Sequence, residues 1–512
     1  MGGTATEDTS VTPTGKWPSL KALPWFVVLI PAAYVLNLWV ETGVSSLAVV
    51  RSLLIVTTVA ALLTTVIAIA TRRPHLAGIV VLVGFGLLAS RGPVYAAAIV
   101  LIAVLGGLAL YLWTRARRER LTWRRAGDAL NVVAVLILLV VVGSGLFTGT
   151  VASIPDDLDQ GTSEVWPAAE EGTTDHGMPD IYVVLLDGYP RTDWLSRLFG
   201  GDNGAFLEAL TERGFDIAER SSSNYMFTEL TLTSMLNMAA MEDIEGIGEV
   251  IRGEVNDHTR LRKVLNENRL FGFLRERGYR IVTSSPGYEH VSMRLADTYL
   301  DGGQLNDFEY HLVRYTVFQW LVNRVAPDFF GDQQRERIDS EFAAIADVIA
   351  QPSDRPVFAF FHIPAPHPPI VFDADGGRAP RPPSGDVFQQ AHSLEDLDAD
   401  AYVNQIAYLN RAALDALDAG LEARDAGDPP VVIVMSDHGA APRPEVFEGE
   451  GGEEHHANLF AAMTPGKTGL YAEDVSPVNV FRILLDAYFD AGMDPLPDRV
   501  YSWDSTTGTD AP

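Results

Sequence analysis

Three places in this chain set polar residues that could bind a metal directly after runs of apolar residues. Asp187 and Gly188 close the run Asp180-Ile181-Tyr182-Val183-Val184-Leu185-Leu186. The run from Pro356 ends in His362-Ile363-Pro364-Ala365-Pro366-His367-Pro368-Pro369, and the run Pro430 to Met435 ends in Ser436-Asp437-His438-Gly439. An Asp-His pair on one strand end with an aspartate on another suits a divalent cation such as Zn²⁺ or Mn²⁺. Carboxylate oxygens and an imidazole nitrogen bind it and leave room for a substrate oxygen. Gly439 lets the backbone turn away at once. Asp-His-Gly alone is no more than a turn; its place after a Val-rich strand, matched by Asp187 on another, turns the reading toward a metal.

Such a centre needs a nucleophile, and the stretch Ser221-Ser222-Ser223-Asn224-Tyr225-Met226-Phe227-Thr228-Glu229-Leu230-Thr231-Leu232-Thr233-Ser234 offers hydroxyls. It reads as a polar turn entering a helix, where exposed N–H groups favour phosphate or sulfate. Capping would explain any one of these hydroxyls taken singly. Contact with a metal would lower the pKa of a threonine hydroxyl and make it reactive.

The elements that must hold these residues follow from the pattern of the chain. Apolar strand-length runs recur at Arg280 to Thr283 and Asn458 to Ala462, and amphipathic helical stretches lie between the runs at Leu261 to Arg277, Gln334 to Ile349, Tyr402 to Glu422 and Val478 to Tyr488. This alternation predicts an α/β domain with a mostly parallel, doubly wound sheet. In such sheets ligands sit beyond the carboxyl ends of the strands, so the three polar strand ends converge on one crevice. Residues 151–179, rich in Pro, Gly, Thr and acids, read as a linker, residues 180–502 as the domain, and 503–512 as a disordered tail.

Ahead of the linker, residues 23–150 contain five apolar stretches: Leu23 to Val40, Leu53 to Ala70, Leu76 to Ser90, Val94 to Trp113 and Ala129 to Phe147. Most approach the ~20 residues that cross a bilayer core, which predicts an all-α transmembrane bundle of about five helices. The loop after the fourth stretch carries Arg115, Arg117, Arg118, Arg120, Arg124 and Arg125, so it belongs in the cytoplasm, as does the amino terminus, 1–22, with Lys16 and Lys21. The fifth stretch then delivers the domain to the extracytoplasmic side. The first stretch lacks the flanks of a cleavable signal and is expected to remain as a span. The spans hold no carboxylate or histidine pair of the kind an ion path needs, which disfavours a transporter.

Charge divides at the same point. Of the net −29 over 512 residues, the first 150 carry +7, leaving −36 for the remainder. So acidic a domain repels nucleic acid, which argues against a DNA or RNA role. The chain has no cysteine, hence no disulfide, thiolate metal site or cysteine nucleophile.

Taken together, Leu186-Asp187-Gly188-Tyr189, the Ser-Asn-Tyr-x-x-Thr pattern from Ser223 that runs on to Leu236-Asn237-Met238, Ala365-Pro366-His367-Pro368-Pro369, Ser436-Asp437-His438-Gly439 and Ser476-Pro477-Val478-Asn479 resemble the sulfatase-like branch of the alkaline phosphatase superfamily. The closest analogy is to its membrane-tethered lipoteichoic acid synthases and phosphoglycerol or phosphoethanolamine transferases. That resemblance implies an alkaline-phosphatase-like sheet and one divalent metal ion (Mn, Zn, Mg or Ca). It makes Asp187, Asp437 and His438 metal ligands and Thr228 the metal-bound nucleophile, with Thr231 and Thr233 as alternatives. His367 would hold the transferred group or the leaving oxygen, and Asn224, His455 and His456 would touch substrate. The expected activity is a phosphotransferase moving a phosphoglycerol-type head group from membrane lipid to an envelope glycan or lipid acceptor. A phosphodiesterase or sulfatase-like hydrolase, or an inactive binding module, is the alternative.

The departures from the pattern are informative too. True sulfatases oxidise a Cys or Ser within Cys/Ser-x-Pro-x-Arg; after Thr228 this chain reads Glu229-Leu230-Thr231-Leu232, which disfavours sulfate ester hydrolysis. Asp307 and His311 have the Asp-x-x-x-His spacing of a second metal site but lie in a helical stretch, so they read as an i, i+4 pair and one metal is expected. His362 reads either as a site residue or as a buried strand-end histidine. His75, His176, His258, His290 and His392 show no metal-like arrangement.

Overall fold

The computed structural model describes residues 23–42, 46–90, 123–147, 178–245, 247, 258–300, 302, 305, 307–314, 316–380, 398–424, 429–440, 453–504 and 509–511. The fourth apolar stretch, the arginine-rich loop up to residue 122, the amino terminus to residue 22 and nearly all of the expected linker lie outside them. Two compact units are present, one holding the apolar helices together with Leu312–Gln319, the other the sheet.

In the helical unit α1 (Phe26–Thr42), α2 (Ser46–Thr71), α3 (Pro74–Leu88) and α4 (Trp123–Phe147) coincide with four of the five apolar stretches. Phe26, Val27, Ala60, Val81 and Ala134 form a small core among them. The outward faces are apolar as well: Leu54 is 60% exposed, Ile69 74% and Val140 71%. Side chains of this kind need hydrocarbon around them, and the helices are those of a membrane protein. Within α2 and α4, Val49–Thr71 and Trp123–Gly143 are long and apolar enough to cross a bilayer; α1 and α3 are shorter apolar helices. Several polar side chains find their partners within the unit, as hydrocarbon favours. Thr64 and Thr65 donate to the carbonyls of Ala60 and Ala61, each at 2.8 Å. Asn131 bridges the start of α1, accepting from Phe26 N at 2.8 Å and donating to Leu23 O at 3.0 Å.

The second unit opens with β1 (Ile181–Leu186), α5 (Thr192–Phe199), α6 (Gly204–Glu212), β2 (Asp216–Ile217) and α7 (Thr228–Asn237). Next come α8 (His258–Asn266), α9 (Arg269–Glu276), β3 (Arg280–Ser284), β4 (Thr298–Leu300), then α10 (Asp307–Arg314) and α11 (Val317–Val325), each divided between the two units, and α12 (Phe329–Ala350). The unit continues through β5 (Val357–Ile363), α13 (Ala399–Glu422), β6 (Val431–Met435), α14 (Glu453–His456), β7 (Phe460–Met463) and α15 (Pro477–Phe489). The seven strands run β2-β7-β6-β1-β5-β3-β4. The pairs β1–β5, β1–β6, β3–β5 and β3–β4 are parallel, whereas β6–β7 and β2–β7 are antiparallel.

Central β1 is apolar throughout because both of its faces are covered. Tyr182, Val184 and Leu186 pack with Ile338, Phe342 and Ile345 of α12 and Ile406, Leu409 and Leu417 of α13. Ile181, Val183 and Leu185 pack on the other face with Leu232, Met235 and Leu236 of α7, Phe273 and Leu274 of α9, and Phe481 and Leu484 of α15.

The differences from the sequence reading have local causes. The helix read as Leu261 to Arg277 is two, broken where Asn268 caps α9 by accepting from Phe271 N at 2.9 Å while donating to Leu265 O at 2.8 Å. Edge strands β2 and β4, of two and three residues, are too short to show a period. At the chain end, read as a tail, β8 (Ser502–Asp504) pairs antiparallel with β9 (Thr509–Ala511).

Candidate metal centre

Strands β6, β1 and β5 are neighbours, so their carboxyl ends bring Asp437-His438, Asp187 and His362-to-His367 together. The backbone binds the three ends to one another. Asp187 N donates to Ile363 O at 3.0 Å, and His367 N donates to Asp187 O at 2.9 Å. Gly188 N donates to Asp437 Oδ1 at 3.0 Å and Tyr189 N to Ser436 Oγ at 2.8 Å. Gly188, at φ 70°, takes the left-handed conformation that the turn out of β1 requires. Gly439 is needed for closeness: a Cβ there would lie 2.1 Å from Glu454 O, and its N–H donates to His455 O at 2.5 Å.

Asp187, Asp437 and His438 are buried, and their ligand atoms all lie within 4.8 Å of one another. Among the described residues, Asp187 Oδ1 and Asp437 Oδ2 have no hydrogen-bond partner. His438 Nε2 stands 3.7 Å from the first and 3.2 Å from the second. Its Nδ1 donates to Gly439 O at 2.8 Å, which assigns the lone pair of a neutral imidazole to Nε2. Two buried carboxylate oxygens and an imidazole nitrogen turned toward one point are what a Zn²⁺ or Mn²⁺ ion accepts, so the residues fit the group. The ionisation directions agree. Burial opposes the charge on Asp187, yet the hydrogen bond from His362 and the electrostatic influence of His367, His362 and His438 hold its carboxyl well below the usual range. Burial likewise opposes a charge on His438, but Asp437, Asp187 and the Gly439 carbonyl push its pKa up. The point where these groups meet attracts positive charge.

The structure separates the three candidate threonines. Thr228 is the first residue of α7 and half-buried, and its Oγ1 lies 3.3 Å from His438 Nε2. Thr231 is buried with its hydroxyl 3.2 Å from Ser223 Oγ and 3.3 Å from Tyr225 O. Thr233 donates to Glu229 O at 2.7 Å, the back-bond of a helical threonine. Only the Thr228 hydroxyl, of these three, meets the Asp-His cluster.

The remaining expected residues fall at different places. His367 is half-buried, its Nδ1 donating to Pro368 O at 2.7 Å, and its ring is close enough to Asp187 to depress that carboxyl. His455 and His456 are buried on α14 and feel the charge of His438. Burial first, then His438, lowers His455 to about 3 and His456 to about 4, so both are neutral. His456 Nδ1 donates to Ser223 O at 2.8 Å. Asn224, read as a substrate contact, has a structural job. Its side chain donates to Arg499 O at 2.9 Å and accepts from Val478 N at 3.0 Å, tying the turn before α7 to the start of α15. Asp307 and His311 lie on one helix, α10, as their spacing suggested. Sequence reasoning left His362 undecided; the structure puts its Nε2 3.1 Å from Asp187 Oδ2. The available signal was an imidazole interrupting the apolar run Val357–Ile363, where a buried polar group needs a partner.

The family model described as Sulfatase matches residues 228–490, more than half of the chain, starting at Thr228 itself. The chain belongs to the sulfatase family. It is an enzyme of that superfamily. Among solved structures, this sulfatase-family chain is similar to the C-terminal periplasmic domain of EcEptC from Escherichia coli, at 14% identity over 64% of this chain and 89% of that one, TM-score 0.39. It is also similar to the integral membrane lipooligosaccharide phosphoethanolamine transferase A from Neisseria meningitidis, at 12% identity over 91% and 94% of the two chains, TM-score 0.38. The lipoteichoic acid synthase LtaP from Listeria monocytogenes is 12% identical over 63% of this chain and 74% of that one, TM-score 0.38. No curated protein matches it.

Proposed function

We propose that this chain is a multi-pass membrane-anchored, metal-dependent phosphotransferase that works outside the cytoplasmic membrane and moves a phosphoglycerol-type head group from a phospholipid to a hydroxyl acceptor. The observation that carries the reading is the Thr228 hydroxyl at the amino end of α7, 3.3 Å from His438 Nε2 and beside two unpartnered carboxylate oxygens. Support for the location comes from the apolar outward faces of the helices and from the arginines that precede the fifth stretch.

Asp187, Asp437 and His438 would hold a single divalent cation, with Thr228 adjoining it. Bound there, the cation supplies Lewis acidity that lowers the pKa of a hydroxyl and offsets phosphoryl charge. Thr228 Oγ1 attacks phosphorus and loses its proton; the bond from phosphorus to the diacylglycerol oxygen breaks, and that oxygen takes up a proton. An acceptor hydroxyl then attacks the phosphothreonine and loses its proton, the Thr228 Oγ1–P bond breaks, and Oγ1 takes up a proton to restore the hydroxyl. His367, fixed through Nδ1, presents Nε2 to the leaving oxygen or to the transferred group. The orphan N–H groups at the start of α7 favour the phosphoryl oxygens.

The test is made on the full chain in vesicles holding phospholipid labelled in the head group. Label should appear on Thr228, and Thr228→Ala should abolish it, with turnover falling by about 10,000-fold or more, while the metal still binds. Retained turnover in Thr228→Ala refutes the assignment; label passing to water instead of a lipid or glycan hydroxyl makes the enzyme a phosphodiesterase.

A further inference from the structure

His362 is a polar side chain where the packing would take an apolar one. Strand β5 reads Val-Phe-Ala-Phe-Phe-His-Ile and is buried along its whole length. Phe358 and Phe360, four and two residues before His362 and on the same side of the strand, belong to an apolar core. His362 is itself 1% exposed, and its Nδ1 has no hydrogen-bond partner among the described residues. An imidazole held in that state costs stability, so packing does not account for it. What it does is bond to Asp187: Nε2 lies 3.1 Å from Oδ2. An ionised carboxylate can only accept, so Nε2 carries the proton.

A buttress stands behind the ring. The backbone N–H of His362 donates to Ser284 Oγ at 3.1 Å, and that hydroxyl donates to Glu341 Oε2 at 3.3 Å. Beside Glu341 on α12, Arg337 Nη1 donates to Ser285 Oγ at 3.3 Å. The strand end is thereby held from β3 and α12, outside the crevice.

We propose that His362 is the positioning residue of the metal centre: its Nε2–H holds Asp187 Oδ2, and so presents Oδ1 to His438 and the cation. The inference rests on the metal centre proposed above and deepens it. Asp187 would otherwise turn about its side-chain torsions, with either oxygen or both directed at the cation. Partners of metal ligands that act in this way contribute about 10–100-fold to metal affinity.

The experiment measures Zn²⁺ and Mn²⁺ affinity of the full-length protein by competition with a chromophoric chelator, alongside its thermal unfolding midpoint. His362→Phe keeps the ring and removes the donor, and metal should bind about 10–100-fold more weakly. His362→Gln sets an amide N–H near the place of Nε2 and should recover most of that loss. His362→Asn, polar but too short to reach Asp187, should stay weak; this variant carries the test if His362→Phe does not fold. Wild-type affinity in His362→Phe or His362→Asn overturns the positioning role, as does a Gln variant no better than Asn. A wild-type chain that binds neither ion, matching Asp187→Ala, overturns the metal centre and this inference together, which separates the two failures.

Discussion

Gly439→Ala tests how closely the turn after β6 is packed on α14. A Cβ on residue 439 would sit 2.1 Å from Glu454 O and 2.7 Å from Ala457 O, both backbone atoms that cannot swing aside. Reaching the ordinary contact distance of 3.4 Å from Glu454 O requires a shift of about 1.3 Å. Either α14 moves, taking His455 and His456 with it, or the turn moves, taking His438. Overpacking of this kind costs about 1–3 kcal/mol, and a displacement near 1 Å in a reacting constellation costs on the order of 100-fold in rate. Gly188→Ala is the control from the same crevice. Its Cβ would meet nothing nearer than 3.5 Å, so the cost there is the left-handed backbone alone, about 1–2 kcal/mol. Head-group labelling of Thr228 and the apparent unfolding midpoint, read for both variants, separate the two effects. Gly439→Ala should lose labelling by about 100-fold, while Gly188→Ala loses stability with a smaller change in rate. A Gly439→Ala protein with labelling and midpoint both unchanged would refute the close approach of the turn to α14.

Replacing the other two threonines should leave the chemistry intact. Thr231→Val and Thr233→Val each remove an internal hydrogen bond and should cost about 1 kcal/mol, with Thr228 still labelled; loss of label in either, in a folded protein, would move the nucleophile. The buried histidines of α14 make stability depend on pH. With the His456 pKa held down to about 4, against about 6.5 when unfolded, the unfolded chain binds the proton between those values and the folded chain does not. Stability is therefore full above about pH 6.5 and falls with pH, by on the order of 2–3 kcal/mol at pH 4 from this group. Unfolding midpoints measured with chelator should fall less steeply for His456→Gln; parallel curves would show that His456 is not buried in its neutral form.

Much of the fold was legible because its causes are local and periodic. A strand covered on both faces must be apolar throughout, and β1, β5 and β6 announce themselves in that way. A parallel sheet places its functional side chains beyond the carboxyl ends of its strands, so Asp187, Asp437 and His438 could be selected before their distances were known. Edge strands β2 and β4 were not legible, because two or three residues carry no period. The break at Asn268 hid inside a helical pattern, since capping there depends on backbone geometry around a residue that a helix also tolerates.

Within the site the division follows the range of the interactions. The sequence by itself determined the metal-competent residues, the turn glycines and a hydroxyl-rich helix entry, because residue type and nearest neighbours decide those. Only the tertiary structure shows that, of Thr228, Thr231 and Thr233 on successive parts of one helix, it is the Thr228 hydroxyl that lies beside His438. It also turned Asn224 into a tie between residues 478 and 499, more than 250 positions away along the chain. The same holds for His362, whose partner Asp187 is 175 residues distant and adjacent only because β5 lies beside β1. Hydrogen bonds reach about 3 Å, and which groups come within that reach is a property of strand order and register, not of spacing along the chain.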